Sequence, residues 1–132
     1  MNLNQVTLPA LDMKKSKAFY QALGLELIVD SAAYARFLCI PGDATFSIHL
    51  VEEAPIGAGA RTYFELESLD EKVEELAAKG FVFKQLPQDE SWGWREARLL
   101  DPAGNEIVLY KAGENRIYPP WGLKEKPEKP SF

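Results

Sequence analysis

One pattern occurs twice in this chain, and the repetition limits the fold more than any single residue does. Leu11-Asp12 opens a short amphipathic segment that closes at Leu23-Gly24 and runs into an apolar stretch, residues 25–29. Leu69-Asp70 opens a second such segment, which closes at Lys79-Gly80 and runs into Phe81-Val82-Phe83. Strand-like stretches precede both, at residues 5–10 and 61–67. Glycine turns follow both: Pro41-Gly42-Asp43 leads into residues 46–50, and Asp101-Pro102-Ala103-Gly104-Asn105 leads into residues 107–110. Two copies of a strand–helix–three-strand unit are too few for a solenoid and predict one domain with internal pseudo-symmetry.

The local signals agree. Asp12 is placed to cap the first helix, with Phe19, Ala22 and Leu23 on its inner face, and Gly24 can end it in the left-handed conformation. Residues 25–30 and 34–40 read as a hairpin around Ser31-Ala32, and residues 45–52 as the strand that follows. The Pro- and Gly-bearing segment 54–60 reads as a linker. Ser68 and Glu71 have capping-box spacing, and Val73, Leu76, Ala77 and Gly80 define a one-sided helix. Residues 81–83, 94–100 and 106–111 are expected strands, with 87–93 a polar loop. The predicted domain covers residues 1–116, with half-modules at about 1–54 and 60–112. A tail, 117–132, has an apolar start (Ile117-Tyr118-Pro119-Pro120-Trp121) that should pack across the domain or a partner subunit, and a mobile end from Lys124.

Charge and composition exclude some functions. The net charge of −5 and the absence of a basic cluster interleaved with aromatics disfavour nucleic-acid binding. No apolar run reaches the roughly 20 residues of a membrane span. Met1-Asn2-Leu3-Asn4 does not open a signal peptide. The single cysteine, Cys39, reads as a small core hydrophobe, and a cytoplasmic location is expected.

Asp12, Ser16, Ala18-Phe19-Tyr20 and Leu23-Gly24, followed much later by residues 101–109, resemble the vicinal oxygen chelate superfamily, which groups glyoxalase I, bleomycin-resistance proteins and extradiol dioxygenases. The resemblance implies an α+β fold of paired βαβββ modules whose sheets curl into cups. It also implies four metal-holding positions, which fall here on Gln5, His49, Arg61 and Val108. Only His49 is an ordinary ligand among them. Gln5 is a weak donor, Arg61 a fixed cation, and Val108 no donor at all. A divalent metal is therefore disfavoured and no cofactor is expected. Were a metal bound, His49, Glu65 and Glu96 would be the residues to consider.

Strand alternation sets Gln5 and Thr7 opposite Val6 and Leu8, Ser47 and His49 opposite Phe46 and Ile48, and Arg61, Tyr63 and Glu65 opposite Thr62, Phe64 and Leu66. Trp94, Glu96 and Arg98 join the polar face if Ala97 and Leu99 face the helices. One pocket is thus expected, with His49 and Glu96 as candidate catalytic residues and Gln5, Arg61, Tyr63, Trp94 and Arg98 as ligand-binding residues. Structural roles compete with these: a histidine on a sheet face is commonly just hydrogen-bonded, and Arg61 can pair internally with Glu65 or Glu96. The expected function is metal-free binding of a small anionic or zwitterionic organic ligand, by a homodimer. The alternative is a metal-dependent lyase or isomerase of the glyoxalase type using His49 as general base with Glu96. A third is an interaction module that docks through its aromatic tail.

Overall fold

Two βαβββ modules follow one another along the chain, in a computed structural model that describes residues 1–54, 56–57 and 59–127. The first module is β1 (Gln5–Ala10), α1 (Met13–Leu23), β2 (Glu26–Asp30), β3 (Tyr34–Leu38) and β4 (Thr45–Leu50). The second is β5 (Arg61–Glu65), α2 (Leu69–Ala78), β6 (Phe83–Asp89), β7 (Arg95–Leu100) and β8 (Glu106–Lys111), closed by a 3-10 turn at Gly113–Arg116. Each module is one four-stranded sheet, ordered β1-β4-β3-β2 and β5-β8-β7-β6. The pairs β1/β4 and β5/β8 are parallel and the others antiparallel. The expected α+β class and paired modules are the observed ones.

The helix signals hold for α1 and fail in part for α2. Asp12 accepts the Lys15 N–H at 3.0 Å. Gly24 adopts φ +107°, donating to the Gln21 carbonyl, while the Leu25 N–H reaches the Tyr20 carbonyl. This left-handed closure carries little strain only for glycine. The inner face of α1 is rotated from expectation. Met13, Ser16 and Tyr20 are buried, while Phe19, Ala22 and Leu23 flank them half-buried. In α2, Leu69, Val73 and Leu76 are buried, but the helix ends at Ala78 and Ser68 makes no side-chain cap bond, so the capping box is not formed.

The expected loop at 87–93 is corrected as well. β6 begins at Phe83 rather than Phe81 and continues through Pro87 to Asp89. The register with β7 shifts between Phe83 and Gln85 and again before Gln88, so the alternation that marks a strand is interrupted. The tail's aromatic start is only partly covered within the chain: Tyr118 is half-buried, while Ile117 and Trp121 are exposed. Cys39 is half-buried, and burial pushes its thiol up. Pro55 and Ala58 of the expected linker and residues 128–132 of the expected mobile end lie outside the described residues.

One apolar cluster takes in both modules, so the halves share a core. Tyr20, Phe37, Phe46 and Phe64 form a run of ring contacts, with Tyr20–Phe46 at 4.5 Å and Phe46–Phe64, across the modules, at 5.5 Å. Polar bonds also cross the seam. The Tyr20 hydroxyl donates to Asp101 at 2.5 Å and Asn105 Nδ2 donates to the Pro9 carbonyl at 2.9 Å. With the inner faces committed to this core, the polar residues of each strand are left on the opposite face.

Candidate functional site

The strand registers relate the two polar faces position by position. In the first sheet Gln5 pairs with Thr45 and Thr7 with Ser47; in the second Arg61 pairs with Glu106 and Tyr63 with Val108. Gln5 therefore corresponds to Arg61 and Ser47 to Val108. His49, which pairs with Pro9 and Tyr34, corresponds to Tyr110. The placement of His49 opposite Val108 in the duplicated pattern is corrected by two residues. Gln5 pairs with Thr45, four strand steps from His49 and roughly 13 Å along the sheet, so the two side chains cannot hold one ion together.

The second sheet carries a line of charges. Glu96 is fully buried, its Oε1 taking Arg98 Nη2 at 2.9 Å and its Oε2 taking Trp92 Nε1 at 2.8 Å. Arg98 Nη1 lies 3.9 Å from Glu106, and Glu106 in turn accepts Arg61 Nε at 3.3 Å. Among the described residues Arg98 Nε is buried with no hydrogen-bond partner. Beside this line, Trp94 stacks on Tyr110 at 4.8 Å, and Tyr63 meets both rings edge-on. Glu65 is engaged elsewhere: its Oε2 takes the N–H groups of Ala112 and Gly113.

The first sheet offers neutral donors and one arginine. Ser47, fully buried, bonds Gln5 Nε2 at 2.7 Å and the Tyr34 hydroxyl at 2.7 Å. Arg36 Nε donates to that hydroxyl at 3.0 Å. Ser47 and Arg36 hold the Tyr34 hydroxyl below the usual tyrosine range, Ser47 most strongly. Thr45 donates to Gln5 Oε1, closing the network.

Residues 2–109 match the family described as the Glyoxalase/Bleomycin resistance protein/Dioxygenase superfamily. The chain belongs to that superfamily. A glyoxalase/bleomycin resistance protein/dioxygenase from Nocardioides superposes with a TM-score of 0.74 at 23% identity, covering 94% of this chain and 90% of that one. A bleomycin-binding protein complexed with bleomycin gives 0.66 at 21% identity, covering 84% and 98%. A bleomycin resistance determinant encoded on the transposon Tn5 gives 0.71 at 20%, covering 86% and 99%. At these identities the structural likeness establishes the fold. No curated protein matches the chain.

Superfamily enzymes use divalent metals, and the residues present here do not fit one. The duplicated positions carry an amide tied to Ser47, a serine tied to Tyr34, a guanidinium paired with Glu106, and a buried valine. Such a set lacks the three or four strong donors a zinc, nickel or iron site needs. Among the described residues, no three of His, Cys, Asp and Glu lie close enough to hold an ion together. The fallback set of His49, Glu65 and Glu96 spans both sheets, and its carboxylates are already bonded to Ala112, Gly113, Arg98 and Trp92.

Of the sequence-expected residues, Arg61, Tyr63, Trp94, Glu96 and Arg98 share the face of the second sheet, and Gln5 and His49 that of the first. A cleft of about 440 Å³ along the seam brings Gln5 and Tyr63 together. Sequence reasoning missed Ser47 as the register equivalent of Val108, and with it Tyr34, Arg36 and Glu106. One signal was available. Val108 follows Gly104 by four residues, a spacing that Ser47, five after Gly42, approaches and His49, seven after, does not.

Proposed function

We propose that this chain binds a small organic molecule with an anionic or zwitterionic head on the polar faces of its sheets, without a metal at the superfamily's usual positions, as a cytoplasmic homodimer. The observation that carries the reading is Arg98. Its guanidinium lies between Glu96 and Glu106, yet its Nε is buried and unpartnered. A buried donor left unmade is costly, and the 19% of the Arg98 side chain that stays exposed is where a ligand would meet the guanidinium. The stacked Trp94 and Tyr110 and the edge-on Tyr63 supply flat apolar surface beside that charge. The bleomycin-binding neighbour supports a binding role for the fold, and the line of Arg61, Glu106, Arg98 and Glu96 suits a ligand that carries charged groups of its own.

The enzymatic alternative needs His49 as base beside Glu96. Here they stand on different sheets, and both Glu96 oxygens are engaged. Binding is therefore the better-supported function.

A melting-shift screen of organic acids and zwitterions, followed by titration of the tryptophan fluorescence with Trp94→Phe as the control, tests this. Arg61→Ala should weaken binding of the ligand found by about tenfold or more, because it removes a charge-assisted contact, and Glu96→Gln should weaken it by loosening Arg98 from its partner at 2.9 Å. Lys14→Ala, on the exposed face of α1, should change nothing. If both face variants bind as tightly as the parent, the polar face is structural and the proposal fails.

A further inference from the structure

The duplication provides an internal control for each side chain on the polar faces. In the second sheet Arg98 lies opposite Val108 and Glu96 opposite Tyr110; in the first, Arg36 lies opposite Ser47 and Tyr34 opposite His49. Arg36 is thus the counterpart of Arg98, Tyr34 of Glu96, and Thr45 of Glu106. The second sheet supplies its arginine with two carboxylates from the chain, at 2.9 and 3.9 Å. At the same two positions the first sheet has a tyrosine and a threonine. Among the described residues Arg36 enters no ion pair.

Arg36 is nonetheless held in place. Its Nε donates to the Tyr34 hydroxyl at 3.0 Å, and its guanidinium carbon lies 5.4 Å from the centre of the Tyr34 ring. Ser47, itself held by Gln5 Nε2, also bonds that hydroxyl. A guanidinium steadied through Nε keeps both terminal nitrogens for one partner, and two parallel N–H bonds match a carboxylate. Val29, which pairs with Arg36, and Leu38, two residues along β3 on the same face, give the surroundings an apolar character.

We propose that the polar face of the first sheet is a carboxylate-binding half-site, in which Arg36 grips the carboxylate of an aromatic or otherwise apolar-bodied organic acid as Arg98 grips Glu96. The inference rests on the ligand-binding reading above and deepens it, assigning the ligand's anionic head to Arg36.

Sodium benzoate is the probe, titrated by calorimetry and by NMR of the arginine Nε–H signals, with benzamide and inorganic phosphate as comparators. Benzoate should bind and shift the Arg36 Nε–H signal, and benzamide should bind at least tenfold more weakly. Arg36→Gln should lower benzoate affinity at least tenfold with an unchanged melting curve, and Arg36→Lys should recover only part of the loss. Three outcomes overturn the inference. Benzoate fails to bind at millimolar concentration; Arg36→Gln binds it as the parent does; or phosphate competes as well as benzoate, which marks a generic cationic surface. Should Arg61→Ala abolish benzoate binding while Arg36→Gln leaves it intact, the anion belongs to the second sheet. The carboxylate half-site then falls while the ligand-binding function stands.

Discussion

The Asp101 carboxylate is 5% exposed and accepts from the Tyr20 hydroxyl, the Ala103 and Asn105 N–H groups and Asn105 Nδ2. Filling its lone pairs in this way makes burial of the charge tolerable. Burial first, and then the Asp101 charge, raise the Tyr20 pKa well above the ordinary tyrosine value. In the folded chain the hydroxyl therefore stays protonated, whereas in the unfolded chain it ionises near pH 10. Above that pH the unfolded state holds fewer protons than the folded state, so this group's contribution to stability falls as pH rises. Tyr20→Phe should cost about 1–3 kcal/mol at neutral pH, and its stability should fall less steeply than the parent's above pH 10. Urea denaturation of both proteins across that range measures the difference, and equal slopes would refute the account. At the same scale, alternation told which residues of β4 are polar-facing but not which of Thr45, Ser47 and His49 stands opposite a given partner. Only the pairing with β1 settles that, and it selected Ser47.

Among the elements, α1 was legible because its signals are local: an Asp at the start, a Gly at the end, and a spacing of apolar residues between them. Gly24 has space for a Cβ, whose nearest contact would be Lys72 Nζ at 3.9 Å, so the obstacle to a side chain is its φ of +107° alone. Gly24→Ala should destabilise the fold by about 1–2 kcal/mol, read as a lower urea midpoint with an unchanged slope. A neutral effect would mean that the closure relaxes to another geometry. β6 was half legible for the opposite reason. Its strand identity depends on pairing with β7, and the register shifts around Gln85 break the local alternation while Pro87 imitates a loop. The candidate site follows the same division. Arg61, Tyr63, Glu96 and Arg98 were legible as one face because β5 and β7 alternate regularly. Trp92 was not, since it reaches Glu96 from the turn between β6 and β7.

For the whole molecule, the duplicated pattern made the fold readable, since two imperfect copies support one another where either alone is ambiguous. What it could not convey is how the copies have diverged, with ionic pairs on the second face and hydroxyls and an amide on the first. In a single chain both faces retain solvent contact, with Tyr63 39% exposed, and Trp121 and Leu123 of the tail are exposed. Pairing of two chains would cover such surface. Sedimentation at micromolar concentration should give about twice the chain mass of 14.8 kDa. A monomer there would count against the homodimer.

The displaced registers of β2 and β6 bear on how the protein behaves when crowded. The two sheets end on β1, β2, β5 and β6, and a straight open edge is a template on which a foreign strand can polymerise. The pairing of β2 shifts register between Leu27 and Val29, and that of β6 between Phe83 and Gln88 with a proline inside it. A strand arriving at either edge meets unevenly spaced amide groups and cannot zip along it. Two of the four growth fronts are blunted by shape alone, which favours a clear solution over a fibrous one at high concentration.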